Sequence, residues 1–347
     1  MSRRKSRRLI VPVFIPNLGC SHRCIFCQQE KISGQSKMPI NGDYVKSILD
    51  KAISSPRFSS EADTEVAFYG GTFTNLHENK MKELLNAVTP YQTRRLLKTI
   101  RISTRPDEID EDRLRLLKDL NVSIIELGAQ SMDNDVLSRC KRGHTADETV
   151  KAVSLLRKYG FKIGLQLIPG LPGDSETTFL KTIDKVIVLQ PDMVRLYPAI
   201  VIRETELGEL YLAGKYKPLT IDEAVQICHK SCLHLEQRGI PVIRIGLMST
   251  PSLMKEGEIL AGPWHTAFGF LVRSSIFHEG INHLLPNKGI TKKIGVRMHG
   301  REIPLLRGYQ NQGLGIIEKK TGARIIYVKA DDSTPPREIR IDYLDET

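Results

Sequence analysis

Short β-rich runs alternate with amphipathic helical runs along most of this chain, and that alternation restricts the fold more than any other feature. Candidate strands fall at residues 9–15, 65–73, 99–104, 123–128, 162–168, 193–200 and 241–247, each rich in Val, Ile, Leu or Phe. Between them, residues 42–53, 79–88, 111–120, 146–158 and 175–189 carry apolar side chains at helical spacing. Repeated strand–helix–strand units imply a parallel sheet joined by right-handed crossovers. The prediction is an α/β fold, a partial (β/α)6 TIM-like barrel with a small α/β C-terminal domain, whose functional residues sit where strands end. A boundary near Ser249-Thr-Pro-Ser252 gives three expected parts: a basic arm (1–9), a core (10–250) and a C-terminal cap (251–347). The cap reads as a helix at 314–320 followed by strands at 323–328 and 338–343.

The first strand runs into Gly19-Cys-Ser-His-Arg-Cys-Ile-Phe-Cys27, which places Cys20, Cys24 and Cys27 in a C-x3-C-x2-C cluster. Thiolates so spaced can wrap one soft metal centre. A four-iron cube needs a ligand on each iron, and the cluster supplies three. Either one iron stays open for a non-protein ligand, or the metal is zinc with His22 as its fourth ligand. A disulfide loop fits less well, because nothing here reads as an export signal and the composition suits a reducing compartment.

The 347 residues are 40% apolar and 26% charged, ordinary for a globular chain with a large core, and no apolar run is long enough to span a bilayer. A cytoplasmic location is expected. The net charge of +11 favours polyanionic partners, nucleic acid above all, through phosphate contacts. Arg3, Arg4, Lys5, Arg7 and Arg8 supply part of it, and further cations group at residues 94–101 and 292–307.

Other strand ends carry chemistry. Gly70-Gly71-Thr72 lacks side chains at two successive positions, so a ligand can approach the main chain closely. Gln130 offers an amide suited to ribose hydroxyls, and Arg142, twelve residues on, a planar fork suited to a carboxylate. Cys228 and Cys232 lie on an apolar helical stripe and read as core.

The C-x3-C-x2-C spacing, with aromatic Phe26 before the last cysteine, resembles the signature of radical S-adenosylmethionine (SAM) enzymes. Gly-Ala-Gln-Ser (128–131), Arg-Gly-His-Thr (142–145), Ile-Pro-Gly-Leu-Pro-Gly (168–173) and the run from Arg195-Leu-Tyr-Pro narrow the likeness to the radical SAM portion of the Elongator catalytic subunit. A more distant likeness is to oxygen-independent coproporphyrinogen oxidase. The resemblance implies an enzyme in which Cys20, Cys24 and Cys27 hold a [4Fe–4S] cluster and SAM completes the open iron. An external one-electron reductant then drives SAM cleavage to a 5′-deoxyadenosyl radical. It further implies that Gly70, Gly71 and Thr72 meet the methionine amino end, Ser103, Gln130 and Gln166 the ribose, Arg142 the carboxylate, and Tyr197 the adenine side. Ser103 stands where the coproporphyrinogen enzymes have Glu. The Elongator acetyltransferase domain has no counterpart in these residues, so acetyl transfer itself is not expected, while RNA (tRNA) remains the expected substrate. The stretch 307–326 resembles a KH module, with Gly308-Tyr-Gln-Asn311 at its backbone-clamping loop. Rival readings are a radical reaction on a porphyrin-like small molecule and a non-catalytic RNA-binding protein with a structural zinc.

Overall fold

The structure, a computed structural model, describes residues 9–34, 39–56, 58–59 and 62–344. The basic arm at 1–8 lies outside the described residues. Leu9 already belongs to the first strand, so the arm ends one residue earlier than expected.

In chain order the strands are β1 (Leu9–Leu18), β2 (Thr64–Gly71), β3 (Thr99–Thr104), β4 (Val122–Gln130), β5 (Lys162–Leu167), β6 (Met193–Leu196), β7 (Val201–Ile202), β8 (Val242–Ile245), β9 (Ile259–Ala261), β10 (Lys293–Met298), β11 (Arg324–Ala330) and β12 (Ile339–Tyr343). The chain divides into two compact units, Met1–Ala224 with His234–Trp264, and Val225–Leu233 with His265–Thr347.

In the first unit, β1-β2-β3-β4-β5-β6-β8 form one all-parallel sheet, the curled half-barrel expected from the alternation. Such strands are covered on both faces, which explains their near-continuous apolar runs. Val66, Ala67 and Phe68 of β2, Ile100 and Ile102 of β3, and Ile125 and Leu127 of β4 are fully buried. Helices return the chain between strands, and their starts are locally encoded. Thr145 and Thr220 each close a capping box with Glu148 and Glu223. Asp110 and Ser175 cap the helices Glu111–Asp119 and Glu176–Leu189 with their side-chain oxygens. The expected strand at 193–200 breaks after Leu196, and Val201–Ile202 pairs instead with β9 as a small antiparallel ribbon.

The second unit has β10 at the centre of a three-stranded sheet, parallel to β11 and antiparallel to β12. Ile294, Val296 and Met298 of β10 pack with Phe277, Ile281, Leu306 and Ile317 from the helices Phe268–Ile281, Ile303–Arg307 and Gln312–Thr321. Cys228 and Cys232 are fully buried, as their apolar stripe required.

Candidate functional site

The cysteine loop begins where β1 ends. Asn17 and Gly19 take positive φ, and a Cβ on Gly19 would sit 2.3 Å from the Thr72 carbonyl oxygen, so only glycine fits that turn. Gly19→Ala is expected to cost about 1–3 kcal/mol, read as a lower urea midpoint; an unchanged midpoint would show that the turn relaxes freely. The loop is pinned at its middle. Buried Ile25 donates its N–H to the Cys140 carbonyl (3.3 Å) and accepts from the Leu207 N–H (2.8 Å). Phe26 packs against the same apolar cluster as Ile25, Cys140, Ile168 and Tyr197.

Around this loop the strand ends converge. Thr72, fully buried after β2, donates its hydroxyl to Cys20 Sγ (3.4 Å). The turn before it is tight, since a Cβ on Gly71 would lie 2.6 Å from the Leu18 carbonyl oxygen. Arg142 spreads its fork between Cys24 Sγ (Nη1, 2.8 Å) and the Gly128 carbonyl (Nη2, 2.6 Å). Gln130 ends β4 with φ +66° and is 5% exposed, its main-chain oxygen accepting from Ile168. Tyr197, just past β6, accepts a hydrogen bond from Arg195 (3.2 Å). Ser103 and Gln166 stand on β3 and β5, flanking β4, with no side-chain hydrogen bond to the other candidates among the described residues. Thus Cys20 meets Thr72, Cys24 meets Arg142, and Phe26 and Tyr197 pack against one buried cluster. The Arg142 fork lies on a thiol and a carbonyl.

Several polar atoms here lack hydrogen-bond partners among the described residues: Gln130 Oε1, Arg142 Nε, Arg105 Nη1 and His144 Nδ1. Buried polar atoms left open in one neighbourhood mark a place for a polar ligand. The three thiols suit a [4Fe–4S] cluster, each serving a different iron. His22, the alternative zinc ligand, lies against Gly143 and pairs its Nδ1 with Ser21 Oγ (3.0 Å). Burial pushes the Cys27 thiol up to about 12, with Cys24 and Cys20 adding to the rise.

Two parts of the site escape the motifs. Arg105, on the loop after β3, holds Asp107 through two hydrogen bonds (2.9 and 2.7 Å) and also donates to the Arg142 carbonyl, so it steadies the backbone that carries the fork. Below the strand ends, fully buried Arg101 of β3 binds Glu65 of β2 (2.5 and 3.0 Å) and Glu126 of β4. Glu126 also faces Arg195 of β6 (3.0 Å), whose guanidinium donates to the Tyr69 hydroxyl and lies 4.8 Å over its ring. Burial, with the Glu126 charge, pushes the Tyr69 phenol up to about 12, so it stays protonated. The signal for this network was one charged residue inside each of four apolar strands.

His144 is 5% exposed, and burial followed by the Arg142 charge lowers its pKa from 6.5 to about 4. Between those values the unfolded chain holds a proton on this residue that the folded chain lacks, so acidification there lowers stability by about 1.4 kcal/mol per pH unit. His144→Gln is expected to flatten the stability–pH curve below pH 6.5. An identical slope would remove His144 as the cause.

Two family models match the sequence, the radical SAM superfamily over residues 14–186 and the radical SAM C-terminal domain over residues 191–277. The chain belongs to the radical SAM superfamily. It is an enzyme by that membership, and the superfamily's cofactors are a [4Fe–4S] cluster and SAM. The tRNA uridine(34) acetyltransferase of Methanocaldococcus jannaschii is 40% identical over 129 residues, 36% of this chain and 24% of that protein. This chain therefore spans about a quarter of that relative's length. The heme chaperone HemW of Bacillus subtilis is 26% identical over 259 residues, 72% of this chain and 66% of HemW. A solved Elp3 of Methanocaldococcus infernus, with its N-terminus deleted, shares the fold at TM-score 0.61 and 23% identity, covering 79% of this chain and 64% of that one. Among the described residues no helix is long and apolar enough to cross a membrane.

Proposed function

We propose that this radical SAM enzyme cleaves SAM reductively and acts on RNA, with tRNA as the substrate class. One observation carries the cofactor part: the Arg142 fork spans Cys24 Sγ and the Gly128 carbonyl beside the unpartnered amide oxygen of Gln130. When bound, the cluster and SAM supply a 5′-deoxyadenosyl radical that takes a hydrogen atom from substrate. Cys20, Cys24 and Cys27 hold the cluster, with Thr72 and Arg142 donating hydrogen bonds to two of the sulfurs. Gly70 admits SAM close to the main chain, Gly71 lets the turn beside it close on the Leu18 carbonyl, and Gln130 and Gln166 offer amides to the SAM ribose. Tyr197 and Phe26, which pack against the same buried cluster, keep water from the reacting end.

Three features support RNA. The charge is +11, a 40% identical relative is named for its action on tRNA, and the second unit carries the KH-like stretch at a sharp turn. Gly308, Gln310 and Asn311 all have positive φ between the helices Ile303–Arg307 and Gln312–Thr321, and the whole lies between β10 and β11. Asparagine tolerates that conformation, so Asn311 can stand where KH loops carry a second glycine. HemW favours a second reading, a porphyrin-like small molecule, because it aligns with a larger share of this chain.

The test has two stages. Anaerobically reconstituted protein given SAM and dithionite should turn brown and release 5′-deoxyadenosine, whereas a colourless, zinc-retaining protein would refute radical chemistry. Nucleoside mass spectrometry of tRNA from a deletion strain should then lack a modified nucleoside, whereas an unchanged profile transfers the assignment to the small-molecule reading.

A further inference from the structure

The outer face of the second unit's sheet has a construction that its core does not require. In register, Tyr327 of β11, Gly295 of β10 and Asp342 of β12 form one rung. The Tyr327 ring crosses the bare Gly295, where a Cβ would meet ring carbons at 2.2 and 2.5 Å, and its hydroxyl reaches Asp342 on the far strand (2.7 Å). The ring is thereby laid across three strands and tethered at its tip. Two residues along, Lys329, Arg297 and Arg340 form the next rung, three cations abreast.

Like charges opposed on neighbouring strands weaken a sheet. Arg297 is matched by Asp342 (2.6 Å) and Arg340 by Asp331 (3.5 Å), while the Lys329 ammonium lies over the Tyr327 ring, 4.4 Å from its centre. Arg340 and Lys329 are exposed and Arg297 is half-buried. Three cations against two carboxylates leave the face positive, and the rungs lie about 7 Å apart along the strands. A flat ring beside a row of cations at that distance matches a nucleotide, its base stacked on the ring and its phosphate on the cations.

We propose that this sheet face binds single-stranded RNA: the exposed Lys329 side chain swings off the Tyr327 ring, a base stacks in its place, and Lys329 and Arg340 hold the adjoining phosphate. Arg297, tied to Asp342, keeps the platform's geometry. This surface extends the RNA reading above by naming a docking place outside the cysteine loop. It excludes double helices as the preferred ligand, because paired bases have no free face to offer the ring. Commitment to RNA over an acidic protein rests on Tyr327, since a protein carboxylate needs the cations but not the ring.

The experiment uses the full chain and fluorescence anisotropy with a labelled ten-residue oligouridine and an abasic ribose-phosphate strand of equal length. Oligouridine should bind more tightly. Tyr327→Ala should weaken oligouridine about tenfold and erase its advantage over the abasic strand, while Tyr327→Phe, which keeps the ring, should retain both. The double variant Lys329→Gln/Arg340→Gln should lower the salt dependence of binding by about 1.4, two phosphate contacts at about 0.7 each. Equal binding of the two strands, or a Tyr327→Ala protein with wild-type affinity, overturns the proposal and leaves a general polyanion surface, as an acidic protein partner would use. Formation of 5′-deoxyadenosine and the tRNA nucleoside profile are read separately, so a failed platform and a failed RNA enzyme give different results.

Discussion

Arg101→Met is expected to destabilise the first unit by about 3–5 kcal/mol, seen as a lower urea midpoint or as protein that does not accumulate folded. Arg101 has no exposed surface and is shared by Glu65 and Glu126. Its removal takes one guanidinium from both buried carboxylates, of which Glu126 keeps Arg195. The cost is therefore that of buried charge with less compensation, which exceeds the net worth of the pair itself. The double variant Glu65→Met/Arg101→Met removes both signs together and leaves the Glu126–Arg195 pair intact. It should regain most of the lost stability, because apolar replacement of a whole buried pair is often neutral. A double variant as unstable as Arg101→Met alone would move the explanation from charge to packing, for instance to the Arg101 contact with Met193 Sδ (3.4 Å).

Cys24→Ala is expected to abolish the brown chromophore after anaerobic reconstitution and to reduce 5′-deoxyadenosine to the background of protein without iron. Cys24 is the thiol that meets Arg142, so its loss also leaves one arm of that buried guanidinium without its acceptor. The backbone should keep its course, because the middle of the loop is held through Ile25. Far-ultraviolet circular dichroism should thus match wild type, and the urea midpoint should fall only by the equivalent of about 1–3 kcal/mol, the cost of one unmatched buried donor, separating loss of cluster from loss of fold. Chromophore retained at wild-type intensity would remove Cys24 from the ligand set.

The parallel sheet was legible because β-branched and aliphatic runs recur between helices whose apolar stripes are clean. Residues 42–53 and 146–158 coincide with the helices found. In the second unit the helix at 314–320 and the strands at 323–328 and 338–343 have their counterparts, whereas two other elements escaped the pattern. The helix Phe268–Ile281 carries apolar side chains on nearly every side, so it shows no stripe for a periodicity argument to find. β10 is six residues long with Gly295 in its middle, so it shows too little of a strand pattern. At the site, the cysteines, Gly71 and Gln130 declared themselves by spacing and by their places at strand ends. Arg105 and the Arg101 network did not, because their partners lie on other strands and pair only once the register is set. The two acceptors of the Arg142 fork, a thiol and a main-chain carbonyl, lie far off in the sequence and carry no motif of their own.

The main-chain tether at Ile25 bears on what sets the shape of the cysteine loop. Two hydrogen bonds, to the Cys140 carbonyl and from the Leu207 N–H, hold the middle of that loop. The polypeptide, and not the thiols alone, thus decides how the three sulfurs are presented, in contrast to zinc fingers, whose folding waits for the metal.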